Sequence, residues 1–283
     1  SDDQTSLSAL PEYHEQEMTV LPDDLKMISV IKNTFFANAR YWGGLNQSFF
    51  SSGNLFAINT GIDSADLNMA WNEIPLAASD RDDIKSIEDY FKRKSLPFWW
   101  WLFPSTSASS CAEILAQNGF ASVMSIPSMA AELTTSPYQT ETSKSITVHQ
   151  VNSLHDLAVW EEISFSGFEF PDKTKQQYRR FTGAFNLDAR SPQKFFLAFF
   201  NGKPVATALL FLHKDVAGLY FVTTLHDFRK KGIGLDLTHA VMRFARQAGS
   251  RYISLQSSPD GFRIYQEAGF REYCRAEVYA PTT

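Results

Sequence analysis

At 283 residues, 44% apolar and 20% charged, the chain has the composition of an ordinary globular protein and is long enough to bury cores for two domains of usual size. Its apolar runs, such as residues 98–103 and 205–212, fall well short of the roughly 20 needed to cross a bilayer, so no membrane-spanning helix is expected. Cys111 and Cys274 are too few for a disulfide scaffold or a cysteine-rich metal site, and no metal is expected.

The net charge of −5 is unevenly spread. Residues 1–143 hold 8 Lys/Arg against 18 Asp/Glu, and residues 144–283 hold 18 against 13. The basic second half suits a polyanionic small ligand or nucleic acid, and electrostatic pairing of the two halves explains the asymmetry as well. The start, Ser1-Asp2-Asp3-Gln4, is acidic and polar, which argues against a secretory leader and for cytoplasmic residence.

In chain order, the first legible unit runs from Phe98 to Leu133. A strand, WWWLFPS, leads through a short helix with Ala112, Leu115 and Ala116 to Gly119-Phe120, and then to a second strand region. The aromatic run Phe98-Trp99-Trp100-Trp101 reads as core packing of this half rather than as the wall of an acceptor pocket. Residues 134–145 (TTSPYQTETSKS) are polar and without apolar period, so a linker is expected there and the chain divides into 1–143 and 144–283.

After the linker, Ile146–Val151 alternates as a strand, and Leu154–Phe165 and Lys173–Phe185 read as helices on either side of Phe170-Pro171. Phe195–Phe200 and Val205–Leu212 are strands joined by Asn201-Gly202, a strong hairpin signal. Ala217–Thr224 completes an antiparallel meander. A helix follows from Ile233 to Ala248, with Gly249 as its stop. Tyr252–Ser257 is a strand, Gly261–Ala268 a short helix and Tyr273–Tyr279 a strand. The fold class is α+β, with three α/β/α layers and a mixed, mostly antiparallel sheet.

The unit Tyr252–Ala280 repeats the order of Phe98–Leu133: strand, Ser/Pro turn, short helix, Gly-Phe, strand. Two tandem copies are therefore expected. The copies differ where chemistry is concerned, because nothing in residues 1–133 resembles Arg229-Lys230-Lys231-Gly232-Ile233-Gly234, and Leu115 stands where the second copy has Tyr265.

That six-residue turn opens a helix directly after a strand. Glycines allow close approach to the backbone, and the first N–H groups of a helix are unpaired donors at the positive end of its dipole, so the turn suits a phosphate. Neither a dinucleotide-fold nor a nucleoside-triphosphatase glycine pattern is present.

The run T-x-H-D-F-R-K-K-G-I-G, then Y-I-S-L-Q-S-S-P, then I-Y-Q-E-A-G-F resembles the GNAT superfamily of N-acetyltransferases over residues 144–283, most specifically 219–270. The resemblance implies acetyl-CoA as acyl donor, lying in a V between splayed strands around Val222–Thr224 and Tyr252–Ser257. The backbone of Val222, Thr223 and Thr224 would hold the pantetheine, and Arg229, Lys230, Lys231, Gly232, Ile233 and Gly234 the pyrophosphate. Ser258 would complete the cofactor site, and Tyr265 would protonate the leaving thiolate. Many members have Pro where this chain has His226, which affects the loop geometry.

Transfer from a thioester to an amine needs a neutral amine, a stabilised oxyanion and a proton for the thiolate. No base is identifiable: Glu169 reads better as an exposed carboxylate, and His226 lies on the phosphate side. The leading expectation is transfer to a primary amine of a small molecule or peptide by direct attack. A non-catalytic acyl-CoA-binding module is the alternative. A nucleic-acid binder is disfavoured by the acidic first half. The acceptor's identity and the oligomeric state are left open.

Overall fold

A 24-residue helix, α1 (Pro22–Leu45), opens the computed structural model, which describes residues 22–105, 108–133 and 145–283. The expectations placed on residues 1–4, and on the linker apart from Ser145, fall outside the described residues. After α1 come β1 (Phe50–Ser52), β2 (Leu55–Ile58), β3 (Met69–Asn72), α2 (Arg81–Lys94), β4 (Trp99–Leu102), α3 (Ala108–Gln117) and β5 (Phe120–Glu132). Then follow β6 (Ile146–Gln150), α4 (Leu154–Gly167), α5 (Lys175–Thr182), β7 (Gln193–Phe200), β8 (Lys203–His213), β9 (Val216–Thr224), α6 (Ile233–Gln247), β10 (Tyr252–Gln256), α7 (Phe262–Glu267) and β11 (Arg271–Pro281). No helix among the described residues is long and apolar enough to cross a membrane.

Local chemistry accounts for the element ends that matter. The Ser153 side chain accepts from the Asp156 N–H at 3.1 Å and starts α4, satisfying one of the donors a helix leaves free. Asn201 (φ 49°) and Gly202 (φ 81°) both occupy the left-handed region, as the tight turn between β7 and β8 requires. The β7–β8–β9 meander expected from the sequence is antiparallel throughout.

All the described strands join one sheet in the order β1-β2-β3-β4-β11-β5-β10-β9-β8-β7-β6. The last strand of the second half, β11, lies between β4 and β5 of the first, and β5 lies between β11 and β10. The two halves thus share their central strands. This exchange was not legible in the sequence.

Each half also shows the same pairing. β3 runs parallel to β4 with α2 between them in sequence, and β9 runs parallel to β10 with α6 between them. In both, one more short helix leads on to the long central strand.

On one face of the sheet α1, α4 and α5 bury a continuous aromatic cluster that includes Phe35, Trp42, Trp160, Tyr178, Phe181 and Phe221. On the other, α2 and α3 cover the first half and α6 and α7 the second. α6 places Ile233, Leu237, Val241, Met242 and Ala245 against the sheet, each large apolar side chain contributing about 1.5–3 kcal/mol when fully buried. The aromatic run is core, as expected: Trp100 is fully buried and donates its Nε1–H to Asn72 at 3.0 Å.

Candidate active site

The cleft begins where β9 and β10 part. They are paired only from Val216–Gly218 to Tyr252–Ser254. Beyond that, Leu255 and Gln256 stay with β5, and Leu219–Thr224 stay with β8. The edge of β9 that includes Val222, Thr223 and Thr224 therefore has no strand partner on the β10 side, and its backbone groups face an open V.

An irregularity shapes that edge. The β8–β9 register shifts between Thr207 and Leu209, and Phe221 opposite it has φ 52°. The Thr207 hydroxyl donates to the Phe221 carbonyl at 2.9 Å. A non-glycine residue held in the left-handed region costs on the order of 1–2 kcal/mol, and it persists here because the Phe221 ring is packed edge-on against Trp42 and Phe168. Bulges of this kind re-aim backbone groups, often beside active sites.

At the open end of the V the chain turns through residues 225–232 into α6. Lys230 (φ 60°) and Gly232 (φ 82°) are left-handed, and Gly232 caps the helix. A Cβ at Gly232 would meet nothing within 4 Å, so this position borders open space. Among the described residues, the backbone N–H groups of residues 230–235 find no acceptor, and the first helical bond at this end is from the Asp236 N–H to the Gly232 carbonyl at 3.1 Å. Six consecutive free donors at a helix N-terminus form an anion cradle.

The side chains of the turn divide by task. Arg229 is committed to the protein: Nε donates to the Thr224 carbonyl at 2.9 Å and Nη2 to the Gly167 carbonyl at 2.8 Å. It ties the turn to β9 and to the end of α4 while remaining exposed. Lys230 and Lys231 are exposed, Lys231 Nζ lying 5.8 Å from the centre of the Phe200 ring. Ile233 is buried in the core and offers only its backbone. Thr223 is also buried, against Gly167, where a Cβ would come within 2.6 Å of its methyl; only glycine lets α4 end so close to β9.

Tyr265 stands on α7, which packs on the start of α6: a Cβ at Gly234 would lie 3.3 Å from Ile264 Cδ1. Its ring meets Phe270 at 5.7 Å, and its hydroxyl makes no hydrogen bond among the described residues. Burial pushes the phenol above its ordinary value, because the anion loses hydration. Ser258 shapes the approach to this helix, its Oγ accepting from the Gly261 N–H at 3.2 Å. The free edge of β9 and the turn both lie at the start of α6, and α7, which carries Tyr265, packs on α6. His226 sits exposed beside the turn, 3.5 Å from Asp227. Glu169 is exposed in the bend after α4 with φ 56°.

Sequence reasoning missed α1, which crosses the cleft from the first half and packs on β9, β10, β5 and β11. Thr34, Asn38 and Trp42, four residues apart along it, share one stripe, and their Oγ1, Oδ1 and Nε1 are buried without partners. On the sheet, Gln256 Oε1 is likewise buried and unpaired, and the buried Ser128 hydroxyl lies against the Cys274 thiol. Ser128 stands in register with Gln256 on one side and Cys274 on the other, and burial pushes the Cys274 thiol up to about 11. Thr34 and Asn38, spaced i, i+4 beside the apolar Ile31, Phe35 and Ala39, were the available signal.

A splayed parallel pair, a bulged first strand and a glycine turn opening the next helix define the GNAT class of fold. Residues 154–270 match the acetyltransferase (GNAT) family. No curated protein sequence matches the chain. In fold, the chain is similar to a GCN5-related N-acetyltransferase from Kribbella flavida (TM-score 0.67, 21% identity, covering 88% of this chain and 95% of that one). It is also similar to one from Sphaerobacter thermophilus (TM-score 0.62, 18% identity, 80% and 76%). These likenesses span both halves, so the fold of the whole chain is that of GCN5-related N-acetyltransferases.

Proposed function

We propose that the protein transfers an acetyl group from acetyl-CoA to a primary amine of a small molecule or peptide, by direct attack within a ternary complex. The observation that carries this reading is the run of free backbone donors at residues 230–235, placed at the open end of the β9–β10 cleft. The residues suit a diphosphate: six unpaired N–H donors lie in sequence at a helix N-terminus, open space lies at Gly232, and Lys230 and Lys231 add positive charge. Arg229 holds the turn in place.

The chemistry assigned to the chain's own groups is limited. Backbone N–H groups of Val222–Thr224 stabilise the oxyanion that forms as the amine nitrogen bonds to the thioester carbon. Tyr265 donates its proton to the sulfur as the carbon–sulfur bond breaks, and the amine's surplus proton passes by way of solvent to restore the phenol. Burial disfavours phenolate and thiolate alike, so the phenol stays protonated and ready to donate. Ser258 supports the turn before α7. The buried polar atoms of α1, Ser128 and Gln256 supply hydrogen-bonding surface on the acceptor side.

On this reading residues 1–143 are a degenerate GNAT-like copy and residues 144–283 the catalytic copy, each lending its last strand to the other. The first copy has no cofactor turn: α2 starts behind Asp80 with Asp82 and Asp83 in its first turn, which repels phosphate. A thiol-release assay with acetyl-CoA and a panel of small and peptide amines tests the reading. Amine-dependent release of CoA is expected; tight acetyl-CoA binding without release by any amine would reduce the protein to a binding module.

A further inference from the structure

The bulge in β9 turns on one peptide bond, the one joining Phe221 to Val222. Tyr220 stands opposite Leu209 and Thr223 opposite Thr207, so Phe221 and Val222 together face Ala208. The Leu225 N–H donates to the Val205 carbonyl at 2.8 Å, and Thr223 belongs to the same ladder, so residues 223 and 225 turn their backbone groups to β8. By the alternation of an antiparallel strand, Val222 turns its own N–H the other way, to the edge that β10 has left.

Thr207 holds that direction. It is the one hydroxyl in the apolar run Val205–Leu212, it is fully buried, and its single hydrogen bond among the described residues goes to the Phe221 carbonyl at 2.9 Å. A trans peptide is planar, with its C=O and N–H opposed, so a carbonyl held on the β8 side leaves the Val222 N–H on the side of the V. Phe221 has φ 52°, in a bulge position that glycine ordinarily fills, and a peptide under such strain relaxes by flipping. A flip would put the carbonyl in the cleft, an acceptor where an oxyanion needs a donor.

We propose that Thr207 is a positioning residue for the transfer reaction: by holding the Phe221 carbonyl, its hydroxyl aims the Val222 N–H at the thioester oxygen. This rests on the reading of the β9–β10 cleft as an acetyl-CoA site. Thr207 touches neither cofactor nor acceptor and acts only through the peptide bond it holds.

The test uses the full chain and acetyl-CoA isotopically labelled at the thioester carbonyl. In infrared difference spectra of the wild-type complex, the carbonyl stretch should lie at lower frequency than in free acetyl-CoA, the mark of a donor on the oxygen. Thr207→Val, alike in shape but without the hydroxyl, should lose that displacement, and Thr207→Ser should keep it. With an accepted amine, kcat should fall at least tenfold in Thr207→Val, the loss of a whole oxyanion donor being worth about 100–1,000-fold. The dissociation constant of CoA, which has no acyl carbonyl, should stay within about threefold. Ser48→Ala deletes another buried hydroxyl, a donor to the Asn59 carbonyl in the first half, and should lower the melting temperature without moving either readout. No displacement in the wild-type complex, a displacement that survives in Thr207→Val, or a Thr207→Ser as impaired as Thr207→Val would overturn the proposal. So would CoA affinity falling in step with kcat, or an equal loss of kcat in Ser48→Ala. A wild type that binds no acetyl-CoA would instead sink the reading of the cleft, and the proposal with it.

Discussion

Gly232→Ala separates backbone geometry from every other property of the turn. The residue has φ 82° and a Cβ there would touch nothing within 4 Å, so the substitution creates no clash in the free protein and its effect comes through the dihedral alone. An L-residue in this region costs about 1–2 kcal/mol, which for a chain of this size lowers the melting temperature by only about 2–4 °C. The chain can relieve that strain by rotating the peptide, which re-aims free donors within 230–235. Losing one hydrogen bond to a charged partner is worth about 1.5–3 kcal/mol, so the CoA dissociation constant should rise at least tenfold. Gly234→Ala is the control. Its new Cβ would meet the flexible end of Ile264 at 3.3 Å, and alanine is the better helix former by about 1 kcal/mol. That variant should melt at or slightly above wild type and bind CoA within about threefold. Calorimetric titration and thermal melts of the three proteins give the answer, and wild-type affinity in Gly232→Ala would refute the reasoning.

Tyr265→Phe removes a hydroxyl with no hydrogen-bond partner among the described residues, so the melting temperature and CoA affinity should hold while kcat drops about a hundredfold; unchanged turnover would end its assignment as the acid. Arg229→Met deletes the donors to the Thr224 and Gly167 carbonyls and should cost about 1–2 kcal/mol by chemical denaturation, together with weaker CoA binding. Lys230→Met should instead leave stability unchanged and reduce the salt dependence of CoA binding. Tyr178, Tyr220 and Tyr265 all have phenols raised by burial. The unfolded chain therefore releases these protons first, and stability is full below about pH 10 and declines above it by up to about 1.4 kcal/mol per tyrosine per pH unit. Melts at pH 8.5 and 11 check this, and equal stability at both would contradict the burial of Tyr178 and Tyr265.

What the sequence revealed was local. The meander from Gln193 to Thr224, the amphipathic α6 and the turn at Arg229–Gly234 rest on periodicity and glycine placement, and they lie where those signals put them. Non-local facts left no such trace. Tyr273–Tyr279 reads as a strand with nothing to name its neighbours, and only the structure places β11 between β4 and β5. Phe221 reads as one more apolar strand residue, yet it is a left-handed bulge held by tertiary packing and by Thr207. Arg229 reads as a phosphate ligand from its neighbours in the chain. The carbonyl of Gly167, 62 residues away, claims part of it.

The central claim is a single cofactor site, in the second half. Calorimetric titration of the full chain with acetyl-CoA tests it most directly. One site per chain with micromolar affinity, weakened at least tenfold in Gly232→Ala, is the result the account requires. Two sites per chain, or no binding, would contradict it.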